Sequence, residues 1–230
     1  LHICELLQIK RGLVALTKAD LVEAEWLEMV QADVAEFLAG SFLAGCPIVP
    51  CSGTTGNGLP SLLDAIQAQA TAVEPKRTQA IVRLPVDRVF SIKGFGTVVT
   101  GTLWSGRLAV GDEVALLPRG LRSRVRRLQV HGETVEHAEA GQRTAVNVPE
   151  LEVAEIERGD ILCLPDTLRP SQSFEANVSL LADAPRPLRN RARVRFHLGT
   201  SELLARGVLL DRAELAPADR RLYAIRDVTA

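Results

Sequence analysis

From Ala80 onward the apolar residues repeat at every second position, and this period constrains the fold more than any other feature of the chain. The stretches AIVRLPVDRVFSI, GTVVTGTLWSG, DEVALLP, RVRRLQVHG and RTAVNV read as strands parted by glycine-rich turns. Many short strands at such spacing predict a small closed antiparallel barrel over 80–168. After PDTLRPS a second series starts near Ser171, with SFEANVSLLAD, ARVRFHLGT and ELLARGVLLDRAEL. It predicts a second barrel over 169–230, whose end, RLYAIRDVTA, reads as short or irregular.

The first seventy residues have a different rhythm. Leu13 to Leu16 is a short apolar run after Gly12, which suits a strand buried on both faces. Trp26, Leu27, Val30, Val34, Phe37 and Leu38 then recur at helical spacing among acidic residues, and Gly40 marks a stop. Pro47 to Pro50 is a second strand, and Leu59, Leu62, Leu63 and Ile66 mark a last helix. Strand, helix, strand, helix is part of a parallel α/β sheet, placed at 1–72. Residues 73–79 carry no periodicity and include Pro75, so they read as a linker.

Bulk properties narrow the class. The 230 residues carry a formal net charge of −1, so any nucleic-acid surface must be local. Arginines cluster in RGLRSRVRRL (119–128) and RPLRNRARVRFH (186–197). No apolar run approaches the roughly 18 residues of a spanning helix, and no secretory signal opens the chain. Cys4, Cys46, Cys51 and Cys163 form no C-x-x-C pair, and the histidines complete no metal spacing. Reduced thiols in a cytoplasmic, metal-free protein are the expectation.

Chemistry first surfaces at ALTKAD, where Thr17-Lys18-x-Asp20 follows the first strand. A carboxylate at a strand's carboxyl end can accept two hydrogen bonds from the N1–H and 2-amino group of guanine. Adenine leaves it unpaired, at a cost of roughly 1–3 kcal/mol. The Lys18 stem can cover the base. The tetrad is also an ordinary helix entry, with Asp20 as a cap. The second strand leads into Ser52-Gly53-Thr54, where a backbone N–H can meet the guanine carbonyl. Two such loops after successive strands lie where ligands of open α/β sheets bind. No Gly-Lys-Ser/Thr phosphate loop accompanies them.

DRVFSIKGFGTVVTGTLWSG (87–106) and VGDEV (110–114) resemble the second domain of elongation factors that deliver aminoacyl-tRNA. LPVDRVFSIKGFGTVVTGTL, VHG at 130–132, AGQR at 140–143 and RVRFHLGTSE at 193–202 resemble the bacterial selenocysteine-specific elongation factors, a branch of the translational GTPases. The resemblance runs essentially the whole length of the chain. It implies α/β plus all-β architecture: the C-terminal part of a P-loop GTPase domain, then two small antiparallel β-barrels. It implies delivery of selenocysteyl-tRNA to a ribosome at UGA codons, coupled to GTP hydrolysis. It places Asp87, Arg88 and Arg143 at the selenocysteyl pocket, and Arg193, Arg195 and His197 on a surface facing the tRNA. The plainer readings are a solvated pair on a strand edge for Asp87 and Arg88, an exposed turn residue for Arg143, and a solvated face for Arg193, Arg195 and His197. His131 is a neighbour of the pocket or simply structural.

The chemistry of that pocket is sound on its own terms. A thiol titrates near about 8.5. A selenol is considerably more acidic and is mostly an anion at neutral pH. Guanidiniums suit a selenolate and give a serine hydroxyl little, and Asp87 would hold an arginine in place. The resemblance also implies that the phosphate loop, switches and Mg²⁺ ligands precede Leu1. The domains that bind the messenger hairpin would follow Ala230. The chain alone is therefore expected neither to hydrolyse GTP nor to bind it tightly, and no catalytic residue is assigned. Residues 1–70 in isolation are expected to be disordered or prone to aggregate. Two other readings stay open: a standalone RNA- or protein-binding double-barrel module, and a general aminoacyl-tRNA carrier.

Overall fold

The computed structural model describes residues 1–7, 9–74, 78–209 and 213–229. Residues 75–77 of the expected linker and 210–212 of the last β series lie outside the described residues. The chain divides into two compact units, Leu1–Pro75 and Lys76–Ala230.

In the first unit, a short helix α1 (His2–Leu6) precedes strand β1 (Val14–Leu16). Helix α2 (Ala24–Leu38) crosses to strand β2 (Ile48–Pro50), and helix α3 (Leu59–Thr71) follows. β1 and β2 pair in parallel, Val14 opposite Ile48 and Leu16 opposite Pro50. A parallel pair needs a long crossover, and α2 supplies it. Its inward face is Leu27, Val30 and Val34, half-buried, and the buried Leu38. Trp26 and Phe37, from the same apolar pattern, face outward. Among the described residues of this unit only Leu38, Cys51 and Ser52 are buried.

The second unit is nearly all strand. Its first series is β3 (Leu84–Ile92), β4 (Gly96–Thr102), β5 (Arg107–Ala109), β6 (Glu113–Leu117), β7 (Leu121–Arg124) and β8 (Arg127–Val130). It continues with β9 (Glu133–Val135), β10 (His137–Glu139), β11 (Arg143–Asn147) and β12 (Ile161–Cys163). Eight of these form one sheet in the order β7-β6-β12-β3-β4-β11-β8-β9, and β5 pairs with β10 separately. Gly94 and Gly96 both take positive φ in the β3–β4 turn, a conformation that glycine adopts without a Cβ clash.

The second series is β13 (Phe174–Ser179), β14 (Leu188–Arg189), β15 (Arg193–Leu198), β16 (Ser201–Leu209), β17 (Glu214–Leu215) and β18 (Arg220–Thr229). β13-β18-β16-β15 form a four-stranded sheet, and β14 pairs with β17. The closing stretch of the chain is regular: β18 is a ten-residue strand paired with both β13 and β16. Its alternation is hard to see in sequence because charged residues crowd it.

Each series has its own core. Leu84, Val86, Val99, Leu103, Leu108, Leu116, Leu128, Val146 and Leu162 anchor the first. Ala205, Leu209, Leu215 and Ile225 anchor the second, with Phe174 and Phe196 packed at 5.1 Å between ring centres. A fully buried leucine or valine stabilises by about 1.5–3 kcal/mol, so most of the burial that holds this chain lies beyond residue 80. Among the described residues no helix is long and apolar enough to cross a membrane.

Candidate functional site

Two groups of the expected residues come together, one in each unit. In the first unit, Thr17, Lys18 and Asp20 follow the carboxyl end of β1, and Ser52, Gly53 and Thr54 follow that of β2. Parallel pairing puts both loops at the same sheet edge. The loops are tied directly: Ala19 N–H donates to the Cys51 carbonyl at 3.1 Å, and Cys51 N–H to Leu16 at 2.8 Å. Lys18 takes φ 61°, an uncommon conformation for a side-chain-bearing residue, and opens a single 3-10 turn that contains Asp20. The Asp20 and Lys18 side chains are exposed. Ser52 is buried at 1% exposure, and its Oγ accepts the Thr54 and Thr55 N–H groups at 3.2 and 3.1 Å. The serine thus shapes its own loop from inside.

In the second unit the arrangement begins with a bulge. Val86 lies opposite Gly101 and Arg88 opposite Thr100, so Asp87 is an extra residue in β3. Strict alternation would send Arg88 to the core. The bulge instead lets Val86 and Val89 both pack inward and leaves Asp87 and Arg88 adjacent on the outside. β12 pairs with β3 only at Leu84 and Pro85, so at Asp87 and Arg88 the neighbouring strand is β4. From β11, which pairs with β4, Arg143 reaches across to Asp87. It donates to both carboxylate oxygens, Nη1 to Oδ2 and Nη2 to Oδ1, the latter at 3.1 Å. Thr100 Oγ1 donates to the same Oδ1 at 2.7 Å.

This fork fixes the Arg143 guanidinium plane while leaving three of its five N–H donors for another partner. Burial works to raise the Asp87 pKa. The Arg143 and Thr100 hydrogen bonds and the charges of Arg143 and Arg88 outweigh it and hold the carboxyl below its ordinary value. The Asp87 hydrogen bond in turn raises Arg143 against desolvation. Among the described residues, no hydrogen bond or salt bridge holds the Arg88 guanidinium, which is exposed. Two cations and one anion leave the cluster one positive charge in excess.

The same outer face continues into a groove of about 280 Å³, walled by Phe90, Ile92, Phe95, Val98, Arg127 and Asn147. Phe90 lies two residues beyond Arg88, and Val98 two before Thr100. Arg127 stacks over the Phe95 ring at 5.4 Å. Asn147 Nδ2 donates to the Phe95 and Thr97 carbonyls at 2.8 and 2.9 Å. Its Oδ1 is buried with no protein partner. Neither this groove nor Thr100 stands out in the sequence. Outward alternation along β3, β4 and β11 was the available signal.

The other expected residues sit elsewhere. Arg193, Arg195 and His197 alternate outward along β15, and Arg195 pairs with Glu202 on β16 at 2.6 Å. His131 occupies the β8–β9 turn with φ 54° and is exposed. In the arginine run at 119–128, Arg119 binds Asp160 and Glu157, and Arg122 binds Glu113 and Asp166. The four cysteines are free thiols, and burial pushes Cys163 up.

Comparison with known proteins adds to this geometry. Residues 96–163 match the family model for elongation factor Tu domain 2. Over 226 residues, 98% of the chain, it is 51% identical to a selenocysteine-specific elongation factor of Desulfomicrobium baculatum. The chain belongs to the selenocysteine-specific elongation factor family. A counterpart in Haemophilus influenzae is 33% identical over 98% of the chain. The chain spans about a third of these relatives, 36% and 35% of their lengths. A bacterial selenocysteine-specific elongation factor, EF-Sec, superposes with a TM-score of 0.80 at 27% identity, over 96% of this chain and 35% of that one. Elongation factor SelB of Methanococcus maripaludis, in its apo form, gives 0.79 at 27% identity, over 94% and 50%.

Proposed function

We propose that this segment is the cargo-holding part of a translation elongation factor that carries selenocysteyl-tRNA to the ribosome at UGA codons. The observation that carries this reading is the outward cluster of Asp87, Arg143 and Arg88, in a chain so close to selenocysteine-specific factors. The cluster's single excess positive charge matches one selenolate. Asp87 holds Arg143 rigid, and Arg88 is the guanidinium left to close on the anion. A seryl group brings a neutral hydroxyl and would leave that charge uncompensated. Discrimination is therefore by charge.

The groove beside the cluster suits the planar terminal nucleoside to which an aminoacyl group is esterified. Its apolar walls accept the face of a base. The exposed cations of β15 suit phosphate and 2′-hydroxyl groups of a folded RNA helix. Two closed barrels, at 80–168 and 169–230, are the architecture this reading assumes.

In the same reading, Asp20 takes the guanine N1–H and 2-amino group, Lys18 covers the ring beside Thr17, and the Ser52-Gly53-Thr54 loop meets the guanine carbonyl. The residues present fit the base of GTP. Phosphates and Mg²⁺ would be held by other parts of the full-length protein, where hydrolysis would take place.

The test is a binding comparison in the full-length protein. Replacing Arg88 and Arg143 together by alanine should reduce the preference for selenocysteyl- over seryl-tRNA by at least about a hundredfold, the value of two charge-assisted contacts. Seryl-tRNA affinity should barely change. A preference that survives the double replacement rejects the pocket.

A further inference from the structure

The bulge that aims Asp87 and Arg88 is held from behind by the second β series. The β15–β16 hairpin turns at Gly199 and Thr200. Thr200 Oγ1 donates to the Val86 carbonyl at 2.6 Å. That carbonyl also accepts the Gly159 N–H at 2.9 Å, and Val86 N–H donates to Asp160 at 2.8 Å. Ser201 Oγ donates to the Gly159 carbonyl at 2.9 Å. The hairpin tip is seated closely. A Cβ on Gly199, at φ +64°, would come within 3.0 Å of Pro85 and 3.2 Å of Trp104. Asp160 is itself anchored by Arg119 at 2.9 Å.

The Val86 carbonyl belongs to the peptide plane that joins Val86 to Asp87. Peptide planarity means that fixing this C=O also fixes the direction of the next N–H and so the path of the chain into Asp87. A bulged residue lacks the ladder partners that normally set this orientation. Here the Gly159 N–H gives the Val86 carbonyl one partner, and the hydroxyl of a residue more than a hundred positions away supplies a second. The next strand residues back along that hairpin, His197 and Arg195, lie on the exposed face of β15.

We infer that Thr200 is a positioning residue for the Asp87–Arg143 fork, so that cargo discrimination depends on the docking of the β15–β16 hairpin against Val86. This rests on the proposed selenocysteyl pocket. Thr200→Val keeps the side chain's shape and removes the donor. Val86 then retains Gly159 alone, and the bulge can rotate. The threonine hydroxyl is spent on the Val86 carbonyl, so its loss acts through the aim of Asp87.

The experiment measures affinities for selenocysteyl- and seryl-tRNA in the full-length protein with a non-hydrolysable GTP analogue. Thr200→Val should narrow the ratio about tenfold, with seryl-tRNA affinity changed less than about twofold. Thr200→Ser, which restores the hydroxyl, should recover the wild-type ratio. A carbon-13 titration should show the Asp87 pKa rising toward its ordinary value in Thr200→Val. If Thr200→Val keeps both the ratio and the titration while Arg143→Ala loses the ratio, the positioning role is wrong and the pocket stands. If Arg143→Ala also keeps the ratio, pocket and positioning role both fall. Should Thr200→Val not fold, Ser201→Ala removes the support behind Gly159 and should narrow the ratio in the same direction. An unchanged ratio there overturns the inference.

Discussion

Asp87 is the residue on which the site turns, because one carboxylate orders an arginine 56 positions away and a threonine on the strand between them. Its folded pKa is depressed, so its contribution to stability is present above the unfolded carboxylate value of about 3.9 and is lost as pH falls through the folded value. Asp87→Asn should therefore lower stability near neutral pH. Arg143 is 53% exposed, so water screens the pair and the loss should be only about 1 kcal/mol. Denaturant unfolding at a series of pH values checks this: the gap between wild type and variant should close below the ordinary carboxylate range. A constant gap would mean that the asparagine acts through packing. The charges of Asp87 and Arg88 were legible in VDRV, where two charged residues break the alternation between two valines. Which arginine Asp87 holds was not legible, since that depends on the register of β11 against β4.

Strands and helices were more readable than partners because period is local. The two parallel strands and both long helices of the first unit follow their apolar spacing. What spacing could not give is how much of each apolar face is covered. On α2, Trp26 and Phe37 are exposed, Phe37 at 74%, and on α3 so are Leu59, Leu63 and Ile66. A two-stranded sheet is too narrow to bury both faces of its helices. With only three buried side chains among its described residues, this unit has little to oppose the entropy of ordering its backbone. Amide exchange of the isolated chain should show weaker protection in residues 14–71 than in β3, β4 and β11. Equal protection would mean that the small sheet is stable on its own.

At the scale of the whole molecule, a strand-rich unit presents a charged cluster, an apolar groove and a basic strand face. The bulge and the docked hairpin were hidden from the sequence because both are long-range: Thr200 and Val86 are 114 residues apart. If cargo is chosen by charge, a change of pH exposes that choice. The ratio of selenocysteyl- to seryl-tRNA affinity should be measured in the full-length protein from neutral pH downward. Asp87 stays ionised through the upper part of this range because its pKa is depressed, so the cargo is the group that titrates. The ratio should fall as pH drops through the selenol pKa, with no such step once Arg88 and Arg143 are both alanine. A wild-type ratio that stays constant through that range would contradict choice by charge.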